Sequence, residues 1–260
     1  MSAPPKAVRL PLQFDPAGLQ SDLARLGAGE WVAHFNTGYF TGDWSGAALR
    51  SVAGSGTTVY ADMNHGEFAD TALLQQCQHL RAVVETFQCP LRSVRLLRLT
   101  AGSIIREHRD YDLGYDAGEV RIHVPVITNS QVEFYLDNRR ILMGEGECWY
   151  LDLNRPHRVH NLGGTDRVHL VIDCQLNDWL RDLIARGMPE EGVESGFASF
   201  QRLVLADTAL QNALSSLTDR KAFIARTVEL GGERGISFQP TDVEAAMLAA
   251  HRAWMERWIA

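Results

Sequence analysis

The sequence predicts an α+β protein: an antiparallel β core, either a barrel or a double-sheet jelly roll, with flanking helices and a helical C-terminal domain. Two observations predict it. Between residues 91 and 174 roughly eight short β-rich runs follow one another, separated by turn residues. On both sides of them the apolar residues recur at helical spacing instead.

Taken in order, residues 66–89 (GEFADTALLQQCQHLRAVVETFQC) place Phe68, Leu73, Cys77, Leu80, Val84 and Phe87 on one side of a helix that Pro90 ends. Then come SVRLLRL, SIIREH, EVRIHVPVI, QVEFYLD, RRILM, ECWYLD, HRVHNL and RVHLVIDC. These runs are rich in β-branched and aromatic residues and are punctuated by Gly102, Asp137-Asn138, Gly144 to Gly146 and Gly163-Gly164. From Leu176 the pattern is helical again, through LNDWLRDLIARG, FQRLVLADTALQNALSSL, RKAFIARTVELGG and DVEAAMLAAHRAWMERWI. The last of these starts at TDVE, where Thr241 can cap and Glu244 occupies the capping-box position. The Gly/Pro/Glu-rich GMPEEGVESG predicts a division into domains 1–183 and 184–260.

With 260 residues, 45% hydrophobic and 22% charged, the composition is that of a globular chain. A net charge of -7 argues against a nucleic-acid partner, because binding a phosphate backbone needs clustered Lys and Arg. No apolar run approaches the roughly 20 residues of a membrane span, and MSAPPKAVRLPLQF lacks the apolar core of a secretion signal. The expectation is a cytoplasmic protein with no membrane partner and a small-molecule or peptide substrate. Cys77, Cys89, Cys148 and Cys174 show no C-x-x-C spacing and read as buried thiols.

The chemistry begins at IIREHRDYDLGY. His108 and Asp110 are two apart, so in a strand they point to one side and offer a nitrogen and an oxygen to one ion. A second histidine is available downstream as His157, His160 or His169. Two histidines and a carboxylate leave open positions on a non-haem Fe(II) for a chelating cosubstrate and O2. Arg167, in the same segment, would need an anionic partner inside a barrel, and a dicarboxylate supplies a bidentate one. In VRIHVP, Arg121 and His123 share one strand face, either lining the site or forming an outward face opposite Val120, Ile122 and Val124. Asp152 and Asp173 read as strand-end residues, Trp31, Tyr39 and Trp44 as core aromatics of which a few wall a substrate pocket, and His34 and Asn36 as weaker candidates for substrate contact.

VRLLRLTAGSIIREHRD, VRIHVPVITN and GECWYLDLNRPHRVHNLGGTDRVHLVIDC, with the upstream HFNTGYFTGDWSGAALRS, resemble the aspartyl/asparaginyl β-hydroxylase family of Fe(II)/2-oxoglutarate dioxygenases, particularly its bacterial members. The resemblance covers roughly residues 1–180. It implies a double-stranded β-helix (jelly-roll, cupin-like) core and hydroxylation of an unactivated C–H of an amino acid, free or in a peptide. It also implies Fe(2+), with 2-oxoglutarate and O2 as cosubstrates and succinate and CO2 as products. His108, Asp110 and His157 match the iron ligands, Arg167 the arginine on the distal carboxylate of 2-oxoglutarate, and Arg121 and His123 an R-x-H pair near cosubstrate and substrate. The animal peptidyl aspartyl hydroxylase lacks the carboxylate ligand, so Asp110 sets this chain nearer the bacterial enzymes; related halogenating enzymes carry a small residue there, so Asp110 favours hydroxylation.

A rival reading is a non-catalytic jelly-roll module that binds a small organic acid or peptide and holds a structural metal. Another is an isomerase or epimerase using a different divalent ion. The C-terminal region is similar to the helical leader domain first associated with nitrogen-fixation gene clusters, which implies peptide tailoring. Otherwise it reads as a helical bundle that covers the barrel and supports a homo-oligomer.

Overall fold

Strand alternation decides where charge can be buried in this molecule. A computed structural model describes residues 5–57, 66–111 and 113–259. The chain opens with β1 (Ala7–Gln13), α1 (Pro16–Leu23), two short strands β2 (Val32–Ala33) and β3 (Phe40–Thr41), and the long β4 (Trp44–Val52). β5 (Phe68–Asp70), α2 (Ala72–Gln76) and α3 (Gln78–Thr86) lead into β6 (Leu91–Leu99) and β7 (Ile104–His108). Then come β8 (Glu119–Ile127), β9 (Val132–Leu136), β10 (Arg139–Ile141), β11 (Glu147–Leu151), β12 (His157–Asn161) and β13 (Arg167–Gln175). α4 (Asp178–Ala185), β14 (Met188–Pro189) and β15 (Val193–Glu194) precede four helices, α5 (Gly196–Ala206), α6 (Thr208–Ser215), α7 (Arg220–Gly232) and α8 (Pro240–Ile259).

Two units result, Met1–Asp137 with Ile141–Gly192, and Asn138–Arg140 with Val193–Ala260. The first is a jelly roll. Its larger sheet runs β14-β1-β11-β8-β13-β6-β4-β2, with β5 on β4, and its smaller sheet contains β9-β12-β7-β3; every pairing is antiparallel. One face of the larger sheet presents Val94, Leu96, Val120, Ile122, Val124, Leu170 and Ile172 to Leu19, Leu80, Val84, Leu180 and Leu183 of the helices. Its other face contributes Leu97, Leu99, Trp149 and Val171 to a second core with Ile105, Phe134 and Val159 of the smaller sheet. Pro125 has no N–H to donate, and the β8–β13 register shifts beside it, between Val168 and His169. The second unit packs its helices around Phe200, Leu210, Leu214, Ile224, Leu230, Phe238 and Val243.

The strands expected after residue 91 are present, and four of the turn residues adopt left-handed backbone: φ is 74° at Gly102, 75° at Gly146, 50° at Asp137 and 61° at Asn138. The helix expected over 66–89 is corrected. Phe68 lies in β5, Thr71 caps α2 by accepting from Leu74 N–H (3.4 Å), and the helix breaks at Cys77. α3 then starts on a borrowed cap, the buried Asp22 carboxylate, which accepts from the N–H groups of His79 (2.6 Å) and Leu80 (2.9 Å). The cap expected at Thr241 is also corrected. α8 begins at Pro240, a residue that tolerates the first helical turn, and Asp242 rather than Glu244 reaches back, to Gln239 N–H (2.7 Å). Among the described residues no helix is long and apolar enough to cross a membrane.

Candidate active site

The interior face of the larger sheet carries the charges. Side chains alternate along each strand, so Arg95 of β6, Arg121 and His123 of β8, and Arg167, His169 and Asp173 of β13 all lie opposite the helix-facing apolar rows. The outward-facing alternative for Arg121 and His123 is therefore excluded. Both residues line a cavity of about 300 Å³ inside the jelly roll.

Across that cavity, His157 on β12 sits directly opposite His108 on β7, with ring centroids 4.2 Å apart. Asp110 lies just beyond β7, its N–H held by the Leu153 carbonyl (3.0 Å). His108, Asp110 and His157 each bring one ligand atom within 4.8 Å of the others. The Nδ1 of each histidine hydrogen-bonds the carbonyl two residues earlier, His108 to Arg106 (2.8 Å) and His157 to Arg155 (3.0 Å). A carbonyl only accepts, so Nδ1 is the donor in both rings and Nε2 is the nitrogen left to meet a cation. Burial pushes the His157 pKa down to about 4, which keeps that lone pair available at neutral pH. Burial would raise the Asp110 pKa, but Arg121 and the two histidines bring it below its ordinary value, so the carboxylate is ionised. Two imidazoles and a carboxylate on one side of a cavity fit a divalent ion with open positions.

His160 and His169, the other histidines of that segment, are elsewhere. His160 is buried outside the cavity, its Nδ1 3.4 Å from a Glu133 oxygen. His169 lies behind Arg167 and accepts from its Nη2 (2.8 Å). Arg167 is only 3% exposed, lines the cavity, and has an Nε without a partner among the described residues. Burial alone pushes its pKa down to about 9; a guanidinium keeps its proton even so, and among the described residues no carboxylate pairs with it.

Arg121 does not face the cavity as a free fork. Its Nε and Nη2 hold Asp173 (2.6 and 3.1 Å) and its Nη1 holds Asp110. Arg121, expected near cosubstrate and substrate, thus lines the cavity with three of its nitrogens engaged by carboxylates. Asp173 is corrected. It is no strand-end residue but a buried anion (1% exposed) that also takes Arg95 Nη1 (2.8 Å). His123 lies beside the cavity with Nε2 unpartnered, and its pKa falls well below the usual histidine value because it is buried and then because Arg167 is near.

Leu97, Ile105, Leu113, Phe134, Leu153 and Val159 make the apolar part of the cavity wall, beside Asn36, Arg95 and Arg109. Its mouth is aromatic. His34 stacks on Trp44 at 3.6 Å and 7°, while Phe35 and Tyr39 line the cavity with most or much of their surface exposed. Sequence reasoning missed Arg95 and Asp173; a lone acid in an apolar strand shows its partners only once the register pairs Asp173 with Arg121.

The family model for aspartyl/asparaginyl β-hydroxylase matches residues 41–176, more than half of the sequence and all of the residues just described from Trp44 to Asp173. The chain belongs to the aspartyl/asparaginyl β-hydroxylase family. Its curated relatives include L-proline cis-4-hydroxylase of Rhizobium meliloti (strain 1021), 30% identical over 166 residues that span 63% of this chain and 59% of the relative. L-proline cis-3-hydroxylase 2 of a Streptomyces species is 25% identical over 166 residues, 62% of this chain and 57% of that one. The chain thus spans less than two thirds of the length of these relatives. Among solved structures, a Pseudomonas putida prolyl-4-hydroxylase is 13% identical, covers 66% of this chain and 94% of its own, and superposes with a TM-score of 0.43. For an aspartyl/asparaginyl β-hydroxylase family member the implied reagents are Fe(II), 2-oxoglutarate and O2, and the donor set fits that ion.

Proposed function

We propose that the chain is an Fe(II)- and 2-oxoglutarate-dependent hydroxylase of an unactivated C–H on an amino acid, free or within a peptide. The observation that carries this reading is the pairing, in one cavity, of the His108, Asp110 and His157 ligand atoms with a buried arginine that lacks an anion. Family membership and the L-proline hydroxylases among its relatives support it.

In this reading His108, Asp110 and His157 hold the metal, each histidine through Nε2. Bound there, Fe(II) and 2-oxoglutarate supply O2 activation coupled to decarboxylation to succinate and CO2. Arg167 takes the distal carboxylate of 2-oxoglutarate through the nitrogens that His169 leaves free, forming charge-assisted bonds in a water-poor setting. His123 Nε2 faces the same region and binds cosubstrate or substrate. Leu97, Ile105, Phe134 and Val159 exclude water from around the reacting carbon, which protects a reactive intermediate from side reactions. The aromatic mouth of His34, Tyr39 and Trp44 receives the substrate. Asp110 fills the carboxylate position, so the site is set for oxygen insertion and not halide binding.

Untargeted mass spectrometry over free amino acids and candidate peptides tests this. The expected result is a product one oxygen atom heavier, formed with stoichiometric succinate and only when Fe(II), 2-oxoglutarate and O2 are all present. Succinate formation that is independent of iron would overturn the reading.

A further inference from the structure

We infer that Asp173 is a positioning residue for the metal-binding face, acting through Arg121 to fix the Asp110 carboxylate. The inference rests on reading His108, Asp110 and His157 as metal ligands. Asp173 is buried inside the jelly roll (1% exposed), and it sits directly opposite Arg121 in the β13–β8 register. It grips Arg121 with both oxygens, Oδ1 to Nε at 2.6 Å and Oδ2 to Nη2 at 3.1 Å, a fork-to-fork arrangement that sets the plane of the guanidinium. The remaining Nη1 is directed at Asp110 Oδ2. The other Asp110 oxygen, Oδ1, is the one turned toward His108, 3.8 Å from its Nε2.

The order of these contacts defines the role. Arg121 carries three carboxylate bonds, two of them to Asp173, so Asp173 determines how much of the guanidinium reaches Asp110. With Asp173 in place, Arg121 occupies one Asp110 oxygen and leaves the other for the metal. Without it, the guanidinium is free to rotate and engage Asp110 with two nitrogens, placing a cation in competition with the metal for both oxygens. Asp173 also balances Arg95, which donates from Nη1 to Asp173 Oδ2 (2.8 Å) and to Ser93 Oγ (2.8 Å). One buried acid thus holds two buried arginines, but only the Arg121 branch continues to the metal face.

Metal binding by the full chain without O2 or cosubstrate tests this, with Mn(II) affinity read from the free-ion EPR signal and ligand geometry from the visible d–d spectrum of the Co(II) form. Asp173→Asn and Arg121→Gln are each expected to weaken Mn(II) binding about 10- to 100-fold and to change the Co(II) spectrum, the range usual for groups that orient metal ligands. Charge alone predicts opposite signs for the pair: losing Asp173 weakens cation binding, whereas losing Arg121 tightens it. Tighter or unchanged Mn(II) binding in Arg121→Gln, with an unchanged Co(II) spectrum, overturns the inference. Arg121→Gln leaves Asp173 paired with Arg95, so it decides the matter even where Asp173→Asn does not fold. Arg95→Gln leaves the chain from Asp173 to Asp110 intact and is expected to keep the wild-type spectrum; a loss equal to that of Arg121→Gln also overturns the inference. If wild-type protein and His157→Ala bind Mn(II) equally, the metal reading itself fails, a result distinct from all of these.

Discussion

The two faces of the larger sheet come from the same strands and have opposite characters. Along β6, β8 and β13, Val94, Leu96, Val120, Ile122, Leu170 and Ile172 face the helices without a polar atom among their side chains. On the other side of the same strands, Arg95, Arg121, His123, Arg167, His169 and Asp173 are buried as well. The helix-side face stabilises by removing apolar surface from water, about 1.5 to 3 kcal/mol for each large side chain. Burying charge costs free energy unless it is paired, and Arg167 is not fully paired. The cost is confined to the face that holds the cavity, and the contrast teaches that this face is built for a ligand while its reverse is built for the fold.

Replacing residues on each face sharpens the contrast. The largest effect is expected from His157→Ala, which should abolish succinate formation while leaving the thermal midpoint near that of the metal-free wild type, as measured by single-turnover assay and calorimetry. Next, Leu96→Ala on the helix side should lower the unfolding free energy by about 2 to 5 kcal/mol in a denaturant titration, with 2-oxoglutarate affinity unchanged in the surviving folded protein. Arg167→Leu should do the reverse. Losing one charge-assisted bond corresponds to a cosubstrate affinity lower by roughly 10- to 100-fold, whereas the metal-free protein should be no less stable, because an uncompensated charge has gone. Equal losses of stability in the two variants would break the comparison.

A pH series probes the same face. Burial holds the His157 pKa near 4, below its ordinary 6.5, and holds His123 and His169 well below it. The unfolded chain then binds protons more readily than the folded one, so stability present above pH 6.5 is lost as pH falls toward 4. The thermal midpoint of the metal-free protein should drop across that window, with a shallower slope in His157→Gln. The smallest effect is expected from Ser93→Ala, which removes an acceptor from Arg95: about 1 kcal/mol of stability, with no change in cosubstrate affinity.

Much of this contrast is legible in the sequence, within limits set by pairing. In EVRIHVPVI the strict alternation marks a strand, and the spacing of Arg121 and His123 places them on one face, but both faces are buried, so alternation alone cannot say which is the interior. Helical spacing over 68–87 is real for Leu80, Val83 and Val84, yet Thr71 and Cys77 break it where capping competes with continuation. β1 contains Pro11 and β4 is rich in small residues (WSGAALRSV), so neither announced itself as a strand. His108, Asp110, His157 and Arg167 were legible as candidates, and the fold brings them around one cavity. Arg95 and Asp173 were not, because an ion pair 78 residues apart exists only through the β6–β13 register.

The central claim, that this interior face holds Fe(II) and 2-oxoglutarate together, is tested most directly by the visible absorption spectrum of the anaerobic protein during titration with both. The expected result is a metal-to-ligand charge-transfer band that requires both reagents, is lost in His157→Ala, and needs more 2-oxoglutarate to develop in Arg167→Leu. Wild-type protein that shows no such band, or a band that His157→Ala leaves unchanged, would contradict the claim.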